Sequence, residues 1–435
     1  MNVKEVIAKY KERYKSSPQA KQALRLLIWN FIGLPLSFVT NIVVTRYMGA
    51  EHYGNYLYIQ RVLEFAYIVL NLGLFRSVNR AVLLADDEEK RREYYGIGLR
   101  FLGAIYLVIA IALVVAVFVM PNFREKGIQE LFLCIVPFCF IYYFNHLYEQ
   151  ILPANNRIDL LIIERYFPKV SFFVCSCIIY WLFHGKSTLN PVIVVWSFFL
   201  TTQLIIYIYV MVRLKPKFTH RKERLLEAFK YNKEYGVQVY LGDLLSTAFT
   251  ALMPLLISRF SDDNVGVGFY SLSLMLSSPL SYIPVVIATS HYAKFAHYKE
   301  IPRKLFMATV GISVFALLCL WLIVGPFVNI FYTPDFKPVI VLTFITSVGT
   351  LLYSLADFMS RYLASQGDGK SLRNSSWVVG FTTFAMSMLL IPKYNATGAA
   401  VTHVVAGLIY IGTILFYYRK RINLNKLDRS EIIEN

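Results

Sequence analysis

Apolar runs long enough to cross a bilayer recur from one end of this chain to the other. A spanning helix needs about 20 mostly apolar residues. Twelve such runs fall near 24–46, 57–84, 98–120, 128–150, 166–184, 189–212, 236–258, 268–290, 305–330, 338–364, 375–391 and 396–418. The chain has 435 residues, 57% hydrophobic and only 16% charged. Soluble domains carry about 25% charge, so this chain lacks the polar side chains to cover a water-facing surface. Its 33 Phe and 31 Tyr exclude a disordered chain. A basic stretch precedes the first run and no small-residue cleavage site follows it, so no cleavable signal is expected.

The net charge of +17 is then a question of placement. With the N-terminus in the cytoplasm, the inside segments are 1–25, 85–98, 149–165, 213–235, 291–304, 365–374 and 419–435. They hold 31 Lys and Arg, against 6 outside: Arg124, Lys126, Lys186, Arg259, Lys337 and Lys393. That asymmetry follows the rule that cytoplasmic loops are basic. A single missing span would invert every later loop. The sequence therefore predicts an all-α polytopic membrane protein with twelve transmembrane helices and both termini cytoplasmic. The basic runs at 213–235 and Arg419-Lys420-Arg421 flank spans. They are read as topology signals facing anionic membrane lipid, not as a nucleic-acid site.

The five cysteines, Cys134, Cys139, Cys175, Cys177 and Cys319, all lie in apolar runs without metal-type spacing. No phosphate-binding Gly-rich loop, nucleophile elbow or zinc motif occurs. The outer loops are short, which disfavours a membrane polymerase or ligase. No enzyme activity and no cofactor are expected.

Two stretches echo each other. Val44-Thr45-Arg46-Tyr47 precedes Gly54-Asn55-Tyr56, and Ile257-Ser258-Arg259-Phe260 precedes Gly268-Phe269-Tyr270. The matching positions lie six spans apart, so both copies share one orientation. This predicts two six-helix lobes, 1–212 and 236–435, joined by the basic loop 213–235. Lobes of this kind place a polar site near the midplane in transporters.

Polar residues inside the spans are the candidates for that site, because charge at that depth is costly unless it faces protein or water. In the first span Asn30, Ser37, Asn41 and Thr45 share a face. In the second, Arg61, Glu64, Asn71 and Arg76 lie within one arc. Arg61 and Glu64 form either a structural ion pair or part of a cationic wall. Arginine suits a phosphate because its planar fork binds two oxygens at once. Arg46 and Arg259, related by the repeat, are either outer-mouth ligands or interface anchors. Asp243, with Ser246, Thr247 and Thr250, either pairs with a base or holds a coupling ion. Asp357 and Arg361 are spaced as an i, i+4 pair, read as structural or as a gate. His291 ends the eighth span and is either a titrating group or an interfacial one. Ser273, Ser277 and Ser281 recur every fourth residue, the pattern of close helix packing.

These residues also carry a resemblance. Arg46-Tyr47-Met48-Gly49 followed by Tyr53-Gly54-Asn55-Tyr56 resembles the R-x-L-G-x-x-x-Y-G-x-Y signature of Wzx-type polysaccharide flippases, within the MOP superfamily. Leu72-Gly73-Leu74 with Arg80 resembles the family's L-G-L…R. Phe331-Tyr332 through Phe336 is similar to its F-G-x-x-Y turn, though the Gly is missing. Leu363-Ala364-Ser365-Gln366-Gly367 with Lys370 and Asn395-Ala396-Thr397-Gly398-Ala399-Ala400 resemble two further turns, the second with Asn395 for the first Gly.

The resemblance implies a V-shaped, two-lobed fold in the cytoplasmic (inner) membrane. It implies export of an undecaprenyl-pyrophosphate-linked oligosaccharide by alternating access, for surface polysaccharide such as O-antigen lipopolysaccharide. Polymerase and other assembly proteins are the implied partners. The coupling ion, H+ or Na+, is left open. The superfamily's lipid II flippases carry Arg in the eighth span and two extra helices. Here the span 268–290 has no Arg, which argues against lipid II as substrate. A MATE-like ion-coupled antiporter is the alternative, disfavoured because Arg outnumbers acid among the cavity candidates.

Overall fold

A computed structural model describes residues 18–183, 189–219, 221–298 and 300–434. Among these residues the chain is helical and has no strand. In a bilayer this is dictated by the backbone, because a helix satisfies its own N–H and C=O groups where no water can.

The helices run in order. They are α1 (Pro18–Leu70), α2 (Leu74–Leu83), α3 (Glu88–Val119), α4 (Pro121–Glu125), α5 (Gln129–Ile135), α6 (Cys139–Ala154), α7 (Ile158–Phe183) and α8 (Pro191–Leu214). Then come α9 (Lys222–Tyr231), α10 (Val237–Phe260), α11 (Val265–Ser277), α12 (Pro279–Phe295), α13 (Arg303–Phe331), α14 (Pro338–Ser365) and α15 (Gly369–Glu434). Six helical stretches among the described residues are long and apolar enough to cross a membrane, or nine if each bent pair is one span. Two of the long helices are themselves broken. Gly49 interrupts α1 at φ 71°, and Asn395 interrupts α15 at φ 47°. Only 28% of the apolar window of α3, and 22% of that of α13, is buried inside the protein. Side chains such as Phe118, Phe315 and Leu322 point outward. An outer surface this apolar is stable against lipid, not water.

Local chemistry sets the helix ends. Asp87 caps α3 by accepting from the Lys90 N–H at 2.6 Å. Glu88 and Glu89 fill its first turn, where the helix dipole favours negative charge. Asn190 caps α8 through the Val192 N–H, with Pro191 at the first position.

The chain divides into two compact units, one of Met1–Tyr47 with Leu70–Val239, the other of Met48–Val69 with Tyr240–Asn435. The part of α1 that follows Tyr47 thus packs with the C-terminal helices. In the first unit Gly98 lets Val78, Leu147 and Ile151 close around it. In the second, α14 packs on α12 and α15 around Phe295, Phe358 and Tyr362, and α11 bends 41° into α12 at Ser278. Ser273 and Ser277 are fully buried, and the Ser277 hydroxyl meets that of Thr346 at 3.0 Å. They are packing residues, as their spacing suggests.

The basic segment 213–235 is not a plain loop. It contains α9 and most of a π turn, Asn232–Gly236. Three of its eight basic residues meet acids of α3. Lys217 pairs with Glu89, Arg224 Nε donates to Glu93 at 3.1 Å, and Arg221 lies 3.9 Å from Glu93. Part of this charge therefore serves the fold, which the loop-by-loop count did not reveal.

Candidate functional site

The second unit contains a cavity of about 340 Å³. Arg61 and Glu64 of α1 form one side, Thr247, Thr250 and Pro254 of α10 another, and Tyr270 and Ser271 of α11 the rest. Polar side chains are set among the apolar Ile68, Ala251, Pro254 and Leu274, as at a site that orients a ligand through a few fixed groups.

Arg61 and Glu64 lie one helical turn apart. Arg61 Nη1 donates to Glu64 Oε2 at 2.6 Å, and both side chains are about one-third exposed, 33% and 34%. Arg61 Nε is buried and has no hydrogen-bond partner among the described residues. A buried donor without an acceptor costs about 1–3 kcal/mol, more when charged. The arrangement is thus half satisfied: a carboxylate meets Nη1, and Nε keeps a donor to spare.

The remaining sequence candidates are placed less closely. Asn41, Asn71 and Arg76 belong to the first unit and are half-buried. Arg46 and Arg259 are exposed, the first in the first unit and the second in the second. The side chains of Asn30 and Asp243 lie outside the described residues. His291 Nδ1 is 3.0 Å from the Ile287 carbonyl and 3.0 Å from Ser290 Oγ, at the end of α12 and away from the cavity lining.

Among the described residues no ion pair joins Asp357 to Arg361, although the Arg361 charge is near enough to act on the carboxylate. Instead the Tyr410 hydroxyl donates to Asp357 Oδ1 at 3.0 Å. Tyr410 comes from α15, so the carboxylate is held across helices, not along one. Tyr410 lies 5.6 Å from Tyr353, whose ring stacks on His403 at 4.9 Å.

Three features escaped the sequence reading. Ser271 gave no signal beyond following the repeat's Tyr270. Asn264, 1% exposed, sits between Ser258 Oγ (2.6 Å) and Asn55 Oδ1 (2.7 Å); in sequence it was one more polar residue of an outer turn. Glu164, 3% exposed in the first unit, has a buried Oε2 with no partner among the described residues. Its neighbour Arg165 is engaged by Glu149 at 3.1 Å.

A family model described as "Polysaccharide biosynthesis protein" matches residues 20–295. The chain belongs to this family. No protein of curated function matches it by sequence. Among solved structures it is similar to the lipid II flippase MurJ in an inward closed conformation, with TM-score 0.72 and 14% identity over 94% of this chain and 92% of that one. It is also similar to an inward-facing MATE multidrug transporter of the MOP superfamily, with TM-score 0.64 and 16% identity over 93% and 99%. An outward-facing MATE transporter of the same superfamily gives TM-score 0.58 and 15% identity over 93% and 96%. At these identities the likeness shows the fold alone: the same many-helix architecture as these structures.

Proposed function

We propose that this protein flips a lipid-linked oligosaccharide, carried on undecaprenyl pyrophosphate, across the inner membrane by alternating access. Arg61 carries the reading. Its Nε lacks an acceptor among the described residues, in a cavity where Thr247, Thr250, Tyr270 and Ser271 supply neutral polar groups. A phosphate oxygen completes the guanidinium fork, and hydroxyls orient the remaining oxygens without adding charge. Glu64 occupies part of the fork, so the cation is partly neutralised until a phosphate competes for it.

The family and the fold support transport of a saccharide precursor. Separating α1 at Gly49 and α15 at Asn395 takes the nine candidate crossings to eleven, and α7 counted as a further span makes the twelve of this reading, with both termini cytoplasmic, in two six-helix lobes, 1–212 and 236–435. Surface polysaccharide assembly, O-antigen lipopolysaccharide included, is the pathway this reading serves, with polymerase and other assembly proteins as partners. The ion, H+ or Na+, that drives the cycle belongs to the same proposal.

The test is export of lipid-linked glycan by Arg61→Ala and Arg61→Lys. Both variants should reach the membrane folded. Arg61→Ala should export at a small fraction of wild type, with Arg61→Lys between. Wild-type export by Arg61→Ala removes Arg61 from the site. The MATE likeness favours a second reading, an antiporter for organic cations. Efflux of a cationic dye by the wild type, with no effect on glycan, supports that reading instead.

A further inference from the structure

Helix α9 follows the apolar helix α8 in the chain and precedes the apolar helix α10, and its two faces have different tasks. Its inner face is clamped to the first unit. Ala228 is fully buried. Arg224 bonds both Glu93 and Glu227, at 3.1 and 3.2 Å, and Lys90 of α3 approaches Glu227 at 3.8 Å. Glu93 is almost wholly buried, and the Arg224 and Glu227 side chains are 26% and 28% exposed, so the clamp rests on one buried acid and fixes the rotation of the helix about its axis.

The opposite face carries Lys222, Leu226, Phe229 and Lys230, with Lys233 continuing it in the π turn. At 100° per residue these side chains fall within an arc of about 100°. Leu226 is 66% exposed and all three lysines are exposed, while Phe229, 46% exposed, also packs its ring against Phe101 of α3 at 5.3 Å. Phe218, in the segment leading into α9, adds a third outward apolar side chain. The nearby acids are Glu223 and Glu234. Glu234 lies 3.9 Å from Lys230 with both side chains more than half exposed, an arrangement worth little in water.

Single exposed apolar residues need no explanation. Here two of them share one face with three lysines, on a helix that ion pairs to a buried acid hold in place beside membrane-spanning segments. That is the pattern of an interfacial helix, whose apolar side chains enter the headgroup boundary while lysines reach anionic lipid. We propose that this face of α9 binds anionic phospholipid headgroups, with Leu226 and Phe229 seated against the first acyl carbons. Lys222, Lys230 and Lys233 meet the phosphates. The clamp through Glu93 and Arg224 ties the bound lipid to the first unit. This site is separate from the Arg61 cavity and does not depend on what that cavity carries.

The experiment uses the full chain in nanodiscs of phosphatidylcholine, alone or mixed with phosphatidylglycerol. Amide hydrogen exchange is followed over 222–233. The wild type should exchange several-fold more slowly when phosphatidylglycerol is present. The triple variant Lys222→Gln, Lys230→Gln, Lys233→Gln should lose that difference and exchange alike in both discs. These side chains are exposed, so its melting in phosphatidylcholine should match wild type. At about fivefold per lysine, retention of phosphatidylglycerol by the triple variant in native mass spectrometry should fall on the order of a hundredfold. Equal exchange of the wild type in both discs overturns the proposal and leaves the face to a protein partner. A triple variant that keeps the full lipid dependence overturns it as well.

Discussion

Gly54 and Gly268, matching positions of the internal repeat, pack directly against each other: a Cβ on Gly268 would lie 3.2 Å from the Gly54 Cα. A Cβ on Gly54 would collide with the Asn264 carbonyl. Around them Phe336 receives the ring of Tyr53 at 5.9 Å and that of Phe269 at 5.7 Å. The repeated Gly-x-Tyr is thus a close backbone approach between α1 and α11, sealed by aromatic rings. Gly54→Ala should destabilise the protein by about 1–3 kcal/mol, the usual cost of overpacking. Gly268→Ala, with a looser contact, should cost less. Thermal melting in detergent reads both, and a Gly54→Ala variant that melts with wild type removes the contact from the account.

Glu64 competes with ligand for Arg61. The 2.6 Å contact satisfies one donor of a guanidinium whose Nε has no partner among the described residues. Glu64→Gln keeps the size of the side chain and removes its charge. Binding of a pyrophosphate-bearing lipid to the purified protein should then tighten about tenfold, equivalent to about 1.4 kcal/mol. Tighter binding slows release, so export should fall even as affinity rises. Weaker binding by Glu64→Gln would mean that the carboxylate holds Arg61 in its binding geometry.

Much of the organisation was legible in the chain. The apolar runs locate the helices because a bilayer imposes one length and one period. The Arg61–Glu64 pair was legible because residues three apart on a helix are neighbours. What was not legible depends on residues far apart in sequence. Glu93 gave no sign that it would neutralise Arg221 and Arg224, since that pairing needs α9 folded back on α3. Asn264 gave no sign that it would meet Asn55. Glu164 lay at the edge of the fifth run, where an acid usually reads as solvated, yet the packing of α7 buries it.

The α9 clamp should be acid-sensitive. Burial pushes the Glu227 carboxyl up, but the Tyr94 hydroxyl and the charges of Lys90 and Arg224 together outweigh it and hold the carboxyl below its ordinary value. A carboxyl lowered on folding stabilises the fold above its unfolded pKa, and that contribution is lost as pH falls through the folded value. The wild type should therefore lose melting temperature between about pH 5 and pH 3 more steeply than Glu227→Gln, which has no proton to gain there. Parallel loss in the two proteins would show that Glu227 is not linked to folding.

Asp357 offers the sharpest contrast between spacing and structure. Sequence spacing pairs it with Arg361, whereas the folded protein gives it the Tyr410 hydroxyl from another helix. The two partners make opposite predictions. Tyr410→Phe removes that donor while keeping the ring against Tyr353. It leaves a half-buried acid short of a hydrogen bond, at about 1–3 kcal/mol. Arg361→Gln breaks no short contact to this carboxylate but removes a nearby positive charge, so its effect should be smaller than that of Tyr410→Phe. Asp357→Asn should fall between, because an amide oxygen still accepts from Tyr410. Melting curves of the three variants rank them, and an Arg361→Gln protein less stable than Tyr410→Phe would return the carboxylate to its helical neighbour.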